Sequence, residues 1–119
     1  MVNEVPIEHV DKGWGYEKWI VNKSEYCGKL LFFNKGKKCS WHFHKIKDEV
    51  FYLQSGKMMV YYSMSDNIEK ANQIILNPGE NFHVYRELRH QMIALEDCEL
   101  FEFSTQHFED DSYRVVKGD

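Results

Sequence analysis

Apolar and polar residues alternate in short runs along most of the chain, and turn-forming residues separate the runs. Runs of about four to eight residues bounded by Gly, Pro, Asn, Asp or Ser are typical of β-strands. No convincing helical period occurs before the C-terminal tail. The pattern therefore predicts an all-β sandwich or barrel, with strands at 16–21, 27–34, 39–44, 49–54, 57–63, 73–77, 81–85, 90–96 and 99–105.

Turn formers and polar stretches punctuate these predicted strands. Residues 55–56 (Ser-Gly) and 96–98 (Glu-Asp-Cys) predict two tight hairpins, because Ser, Gly and Asp favour turns. The polar stretch 64–72 predicts a loop. Residues 1–13 predict an extended N-terminal arm, and residues 106–119 form a short C-terminal tail.

Several predicted strands are apolar on both faces. Leu30 and Phe32 alternate with Leu31 and Phe33, although the outer face of a free barrel should be polar. Two explanations are open: a partner subunit covers the outer face, or the N-terminal arm of the same chain does so. The first explanation predicts a homodimer.

Composition and charge exclude several classes of protein. With 119 residues, of which 43% are hydrophobic, the chain suits a single domain spanning 1–119. The net charge is −4 and the 15 Lys and Arg residues are scattered, which argues against a nucleic-acid partner. No apolar run approaches the roughly 20 residues that span a bilayer, and no signal region is apparent, so we expect no membrane partner. Three cysteines without a C-x-x-C pair indicate a reducing, cytoplasmic location: Cys27, Cys39 and Cys98.

Residues 36–56 carry the pattern G-x5-H-x-H-x4-E-x6-G. On a strand, residues two apart lie on one face, so His42 and His44 can lean toward a single metal ion. A polar reversal at 45–48 leads to Glu49, whose carboxylate can swing back beside the two imidazoles. Two alternating histidines are also compatible with ordinary half-buried strand positions, but the whole constellation favours metal binding.

A second stretch, residues 77–91, begins with the turn Asn77-Pro78-Gly79 and ends in a strand that starts at His90. Together, the two stretches resemble the two motifs of the cupin family. The resemblance implies a jelly-roll barrel, also described as a double-stranded β-helix. It also implies a divalent metal ion at its centre. One departure is the sequence at 85–87, where the family usually has Pro and Gly. Carried over residue by residue, the implied metal ligands are His42, His44, Glu49 and His90.

Strand alternation places further residues beside this predicted centre. If Glu49 points inward, Phe51 and Leu53 share its face, and Met92 and Ala94 share the face of His90. The metal ion would then lie at one end of an apolar cavity, which is the usual form of a small-molecule site.

Stretches near both ends of the chain resemble one particular group of cupins. Residues 13–17 (GWGYE) are similar to the entry of mannose-6-phosphate isomerase-like cupins, and 102–105 (EFST) with 109–114 (EDDSYR) are similar to their tail. Lys12 stands where that group has proline. The resemblance covers roughly 13–114 and implies a sugar phosphate or related polyhydroxy substrate and an isomerase or epimerase reaction.

The resemblance to the isomerase group also gives roles to three residues outside the metal set. Arg114 and Lys29 are candidates for binding a phosphate or carboxylate, since a guanidinium pairs with such groups bidentately. His83 is a candidate general base, although Phe82 and Val84 should be the inward pair on its strand. For Arg114, Lys29 and His83 alike, a solvated surface position is the open alternative. Mixed imidazole and carboxylate ligation suits Zn, Fe, Mn, Ni or Co. Two other functions stay open: a metal-dependent dioxygenase or lyase, and a non-catalytic sugar-binding or regulatory module.

Overall fold

The computed structural model describes residues 3–119. It contains eleven strands and two short 3₁₀ turns, at Ile68–Lys70 and Glu109–Asp111. Within these residues, no helix is long and apolar enough to cross a membrane. The strands are β1 (Glu8–Lys12), β2 (Gly15–Asn22), β3 (Cys27–Phe33), β4 (Trp41–Phe43), β5 (Glu49–Ser55), β6 (Met58–Ser63), β7 (Asn72–Leu76), β8 (Asn81–Val84), β9 (Arg89–Ala94), β10 (Cys98–Ser104) and β11 (Tyr113–Val116).

The strands form two antiparallel sheets that pack face to face. The six-stranded sheet has the order β1-β2-β3-β10-β5-β8, and the five-stranded sheet has the order β11-β4-β9-β6-β7. Strict alternation in β3, β5 and β10 turns every second side chain toward the space between the sheets. The predicted all-β jelly-roll fold is confirmed, and its core includes Leu31, Phe33, Leu53, Met58, Val60, Met92, Ala94 and Leu100.

Two strands lie in segments that the sequence predicted to be an arm and a tail. Residues 8–12 of the predicted 1–13 arm form β1, which pairs with β2, and Gly13 lies in the turn between these two strands. In the tail, β11 pairs with β4 at the edge of the other sheet. Side chains of both strands are largely exposed, so neither carries the apolar alternation that predicts a strand.

The two predicted hairpins were wrong. The turn at 55–56 joins β5 to β6, and the turn after Ala94 joins β9 to β10, but in each case the two strands belong to different sheets. Both turns pack together, since a Cβ at Gly56 would lie 2.3 Å from the Asp97 carbonyl oxygen, and Gly56 has φ +95°. Turn residues predict that the chain reverses, but the partner strand is chosen by burial of the apolar faces.

The loop before His90 has no glycine at 85–87, where the cupin resemblance leads us to expect one. Glu87 adopts a left-handed conformation with φ 73°, and its N–H donates a 2.7 Å hydrogen bond to the His44 carbonyl oxygen. A side chain in this region of backbone space costs about 1–2 kcal/mol. The loop is therefore kept at a cost in conformational energy, and it links the two predicted motifs.

Glu87→Gly should raise the free energy of unfolding by up to about 1 kcal/mol, because relief of the left-handed strain exceeds the entropy that glycine loses on folding. Thermal denaturation followed by circular dichroism measures this effect. Glu96→Gly is the matched control, since Glu96 is also exposed but is not among the positive-φ residues. It should be destabilising, and stabilisation by both changes would contradict a role for strain.

Candidate metal centre

Three histidines on or next to the paired strands β4 and β9 lie together between the two sheets. His42 on β4 is the register partner of His90 on β9, and His44 follows directly after β4. One potential ligand atom from each of the three lies within 4.8 Å of the others. His44 is 5% exposed and His90 is 1% exposed. The structure therefore brings together the three histidines of the predicted ligand set.

Glu49 reaches the same point from the opposite sheet. It opens β5, is 1% exposed, and points inward as predicted. Its Oε2 lies 3.6 Å from His44 Nε2, and its Oε1 lies 3.6 Å from His90 Nε2. All four side chains predicted as ligands thus converge on one place between the two sheets.

Backbone carbonyls orient the three imidazole rings. Nδ1 of His42 lies 2.9 Å from the Ser40 carbonyl, Nδ1 of His44 lies 2.9 Å from the Asp111 carbonyl, and Nδ1 of His90 lies 3.0 Å from the Leu88 carbonyl. A carbonyl oxygen can only accept, so each Nδ1 carries a proton and donates it. In neutral imidazole the lone pair is then left on Nε2. This is the arrangement by which metal-binding histidines are usually held.

Burial keeps these imidazoles neutral. It lowers the pKa of His44 to about 3, with the Lys47 charge as the next cause, and it lowers the pKa of His90 to about 3, with His44 next. Burial likewise places the pKa of His42 well below its usual value.

In the described part of the chain, His90 Nε2 and Glu49 Oε2 are buried without a hydrogen-bond partner. Buried acceptors without donors are costly, and a cation at this point would satisfy them.

A buried lysine lies beside the carboxylate. Lys47 is 3% exposed, and its Nζ is 2.9 Å from Glu49 Oε2, close enough for an ion pair although not aligned as a hydrogen bond. The same ammonium donates to Glu102 Oε2 at 3.0 Å and lies 3.2 Å from His107 Nδ1. The sequence predicted a polar reversal at 45–48, but Lys47 in this reversal is buried in the structure.

The two carboxylates around Lys47 titrate in opposite directions. Burial raises the pKa of Glu49 to about 8, against the opposing effect of Lys47. Burial would also raise the pKa of Glu102, but Lys47 and then Lys29 outweigh it and lower that pKa to about 2. For Lys47 itself, burial favours the neutral form, yet the Glu102 and Glu49 charges raise its pKa. Lys47 and Glu102 therefore form a charged pair next to Glu49.

Asp111 in the tail holds the loop that carries Lys47. Its carboxylate accepts hydrogen bonds of 2.9–3.2 Å from the backbone N–H groups of Lys45, Ile46 and Lys47. Its own carbonyl accepts from His44, so one buried residue supports both the loop and a predicted ligand. Sequence reasoning missed this role. The burial of Lys47, by contrast, had one signal in the sequence. Glu102 lies two residues from buried Leu100 and therefore points inward, where its carboxylate needs a cation.

The four converging side chains line a cavity of about 410 Å³. Lys29 also lines it and is 2% exposed, with its Nζ 3.5 Å from Glu17 Oε1 and 4.3 Å from the centre of the Trp19 ring. Arg114 lines the cavity from β11, where it is the register partner of His42. Both residues predicted to bind an anion therefore face the space beside the candidate metal centre.

His83 does not reach this cavity. It lies on β8 with its side chain 55% exposed, and its Nε2 is 2.9 Å from an Asp48 carboxylate oxygen on the surface. Phe82 and Val84 take the two more buried positions of that strand, as alternation predicts. His107 is the histidine outside the metal cluster that lines the cavity, and the sequence reasoning did not single it out.

The remaining inward residues follow the predicted alternation. Phe51 and Leu53 are buried on the face of Glu49, and Met92 and Ala94 are buried on the face of His90. The centre thus combines an apolar floor with a small set of convergent polar groups, as small-molecule sites usually do.

The fold is shared with several solved structures. CapF, a capsular polysaccharide assembling protein from Staphylococcus aureus, superposes with a TM-score of 0.79 at 14% identity over 93% of this chain. KdgF from Halomonas sp. gives 0.73 at 19% identity over 87% of this chain, and oxalate decarboxylase from Bacillus subtilis gives 0.79 at 16% identity over 91%.

The lengths of these proteins differ. This chain spans 34% of CapF and 30% of oxalate decarboxylase, but 91% of KdgF. No protein-family model and no curated protein sequence matches the chain significantly. The likeness therefore rests on the arrangement of the strands, and by that arrangement the chain has the cupin fold.

Proposed function

We propose that this protein binds one divalent transition metal ion and acts with it on a small, oxygen-rich, anionic molecule. The observation that carries the proposal is the orientation of the histidines: each Nδ1 is held by a backbone carbonyl, which leaves Nε2 free at a buried point beside a carboxylate. The donor set suits Zn, Fe, Mn, Ni or Co. The ligands in this proposal are His42, His44, Glu49 and His90.

Bound there, such an ion would supply Lewis acidity toward carbonyl and hydroxyl oxygens. The side chains around it support the same chemistry. Lys47 holds a positive charge beside Glu49 and beside the space where a substrate would lie. His107 replaces His83 as the candidate for exchanging a proton with the substrate, since it lines the cavity and is half-buried. Burial, followed by the charge of Lys29, lowers the pKa of His107 to about 4, so the ring is neutral at pH 7.

The charge of the cavity supports an anionic substrate. Five basic side chains and five acidic ones line it, so the charges of the lining cancel once Glu49 has given up its proton. A divalent ion would leave an excess of positive charge, which an anion such as a phosphate or carboxylate would neutralise. The lining residues are Lys12, Lys29, Lys47, Arg114 and Lys117 on the basic side and Glu17, Glu49, Glu102, Glu109 and Asp119 on the acidic side.

Within this class we place a sugar phosphate first, with an isomerase or epimerase reaction, because the chain resembles mannose-6-phosphate isomerase-like cupins at both ends. In this proposal Lys29 and Arg114 bind the phosphate. The second candidate is a lyase or dioxygenase acting on a small carboxylate. One structural neighbour favours it, since Bacillus subtilis oxalate decarboxylase has Mn(II) centres.

Metal analysis followed by a substrate screen tests the proposal. We expect about one equivalent of transition metal per chain, and turnover of a phosphorylated sugar that His42→Ala abolishes. Oxygen uptake or release of CO2 from a small carboxylate would favour the second candidate. Sugar binding without turnover would leave a non-catalytic module, and a protein that takes up no metal would contradict the proposal altogether.

The titration of Glu49 gives a separate prediction. Its pKa of about 8 means that the carboxyl is mostly protonated at pH 7, and a cation that binds the carboxylate must displace that proton. The histidines release none, because they are already neutral. Binding at pH 7 should therefore release about one proton, and affinity should rise with pH up to about 8.

Isothermal titration calorimetry in buffers of different ionisation enthalpy counts the released protons. Glu49→Gln is the control, since it keeps the shape of the side chain but has no proton to lose. We expect weaker binding and no proton release for this variant. Release that is equal in both proteins would assign the proton to another group.

We also expect a cytoplasmic location. All three cysteines are free and buried, which suits a compartment in which thiols stay reduced. Their function is then that of small apolar side chains in the packed sheets.

A further inference from the structure

Asn22 anchors His107 from a distant part of the chain. The backbone N–H of His107 donates a 2.8 Å hydrogen bond to Asn22 Oδ1, and its carbonyl oxygen accepts a 3.1 Å hydrogen bond from Asn22 Nδ2, across 85 residues of sequence. The imidazole lies 5.0 Å from the Trp19 ring, centre to centre, at an angle of 62°. The ring of His107 therefore has a fixed position in the wall of the cavity, although the residue lies outside the strands.

The ammonium of Lys47 determines which nitrogen of this ring carries the proton. Three acceptors surround Lys47 Nζ: Glu49 Oε2 at 2.9 Å, Glu102 Oε2 at 3.0 Å and His107 Nδ1 at 3.2 Å. An ammonium has three N–H groups and can only donate, so Nδ1 of His107 accepts. Burial, followed by the charge of Lys29, lowers the pKa of His107 to about 4, and the neutral ring then has its proton on Nε2.

This tautomer is the reverse of the one in the candidate metal centre. There, each ring donates from Nδ1 and keeps a lone pair on Nε2. In His107 the lone pair is on Nδ1, so Nε2 can neither bind a metal ion nor take up a proton. Nε2 makes no hydrogen bond to a described residue and is not fully buried, and its N–H is therefore available to a molecule in the cavity.

Lys29 offers a second donor beside the same indole. It is 2% exposed, and its Nζ lies 4.3 Å from the centre of the Trp19 ring. Its hydrogen-bond acceptor among the described residues is Glu17 Oε1, 3.5 Å away, and this oxygen also accepts a 2.8 Å hydrogen bond from Trp19 Nε1. One long bond leaves two N–H groups of a buried ammonium without an acceptor in the described protein, which is costly unless a ligand or water accepts them.

We propose that His107 and Lys29 together bind one oxyanion group of the substrate, with His107 donating a hydrogen bond from Nε2. This role rests on the proposed function: it adds His107 to the anion-binding residues given there, and it narrows the part of His107 from exchanging a proton to donating a hydrogen bond. The group is a phosphate or a carboxylate, because both accept several hydrogen bonds, and hydrogen bonds to an anion are stronger than those between neutral groups. Trp19 contacts both donors and gives the subsite an apolar wall.

Nuclear magnetic resonance of the metal-free full chain tests the tautomer, because couplings between ring protons and ring nitrogens distinguish Nδ1 from Nε2. At pH 7 we expect the proton of His107 on Nε2 and the protons of the three metal-centre histidines on Nδ1. Added inorganic phosphate should shift the Nε2 resonance of His107 and leave that of His83, on the surface, in place. A proton on Nδ1 of His107 would overturn the proposal.

His107→Phe and His107→Gln separate the donor from the ring. Phenylalanine keeps a ring against Trp19 but has no N–H, whereas the glutamine amide keeps a donor. We expect His107→Phe to raise the dissociation constant for phosphate at least roughly tenfold, the usual effect of losing a hydrogen bond to a charged group, and His107→Gln to raise it by less. His83→Phe is the matched control and should leave this constant unchanged, because His83 lies outside the cavity.

An unchanged constant in His107→Phe, or an equal loss in both His107 variants, would refute the donor role. If His107→Phe fails to fold, the tautomer and the phosphate-induced shift of the wild type decide. Acetate in place of phosphate identifies the group: a response to acetate alone keeps the subsite but assigns it to carboxylates, and a response to neither anion refutes it.

Metal uptake separates this inference from the proposed function. Wild type, His107→Phe and His107→Gln should bind the metal equally, since His107 is not a ligand, and loss of metal in either variant would contradict the tautomer. A wild type that takes up no metal but binds phosphate at His107 would contradict the proposed function alone. A wild type that takes up metal but binds neither anion would contradict the subsite alone.

Discussion

His90→Ala should remove most of the metal that the wild-type protein binds. The side chain is 1% exposed and its Nε2 has no partner within the described protein, so its loss deletes one of four proposed ligands and leaves no nearby replacement. Loss of a residue that only supports a ligand already costs about 10–100-fold in metal affinity, and loss of a ligand should cost more. Metal content after dialysis, measured by mass spectrometry, checks this expectation.

Thermal denaturation provides a second readout of the same variant. When the free concentration of the metal ion is a hundred times its dissociation constant, binding stabilises the native state by about 2.7 kcal/mol. A chelator should therefore lower the wild-type Tm by roughly 10 °C. The same chelator should have little effect on His90→Ala. His83→Ala is the control, because His83 is a surface histidine outside the cavity. A full equivalent of metal in His90→Ala would remove His90 from the ligand set.

Lys47→Met should destabilise the metal-free protein by about 3–5 kcal/mol, the cost of removing one partner from a buried ion pair. Methionine matches the length of the side chain but leaves Glu49 and Glu102 buried without their shared cation. Lys45→Met removes the same charge from an exposed neighbour and should change the stability by less than about 0.5 kcal/mol. Denaturant unfolding of both variants gives the comparison.

The effect of Lys47→Met should depend on pH in a definite direction. In the wild type the pKa of Glu102 is lowered to about 2, so the stability it contributes is complete above its unfolded value and is lost as the pH falls toward 2. The difference between wild type and variant should therefore shrink below about pH 4.5. A difference that stays constant from pH 7 to pH 3 would show that lost packing, rather than lost charge, destabilises the variant.

The alternation of apolar residues predicted the central strands correctly because those strands are buried on their inner face. β3, β5 and β10 each lie near their predicted positions and turn the expected residues inward. β1 and β11 were not predicted, since edge strands with exposed side chains carry no such pattern. Their existence depends on backbone hydrogen bonds to β2 and β4, which any sequence without proline can make.

The candidate metal centre could likewise be predicted only in part from the sequence. The spacing of His42, His44 and Glu49 indicates a shared site, while the resemblance to cupins supplied the ligand role of His90. Lys47 could not be predicted to be buried, because it lies in a polar loop and its position depends on Asp111, which is 64 residues away. The outward position of His83 follows from alternation with Phe82 and Val84, a signal that the sequence already contained.

The sequence by itself determined what depends on short stretches of chain: the period of two along the strands, the facing pair His42 and His44, and the positions of the reversals. Only the tertiary structure decided which sheet each strand joins, that Lys47 lies between Glu49 and Glu102, and that Phe103 of the six-stranded sheet stays exposed within one chain. These features depend on contacts between residues far apart in the chain, and such contacts form where burial of apolar area is greatest, which local spacing does not specify.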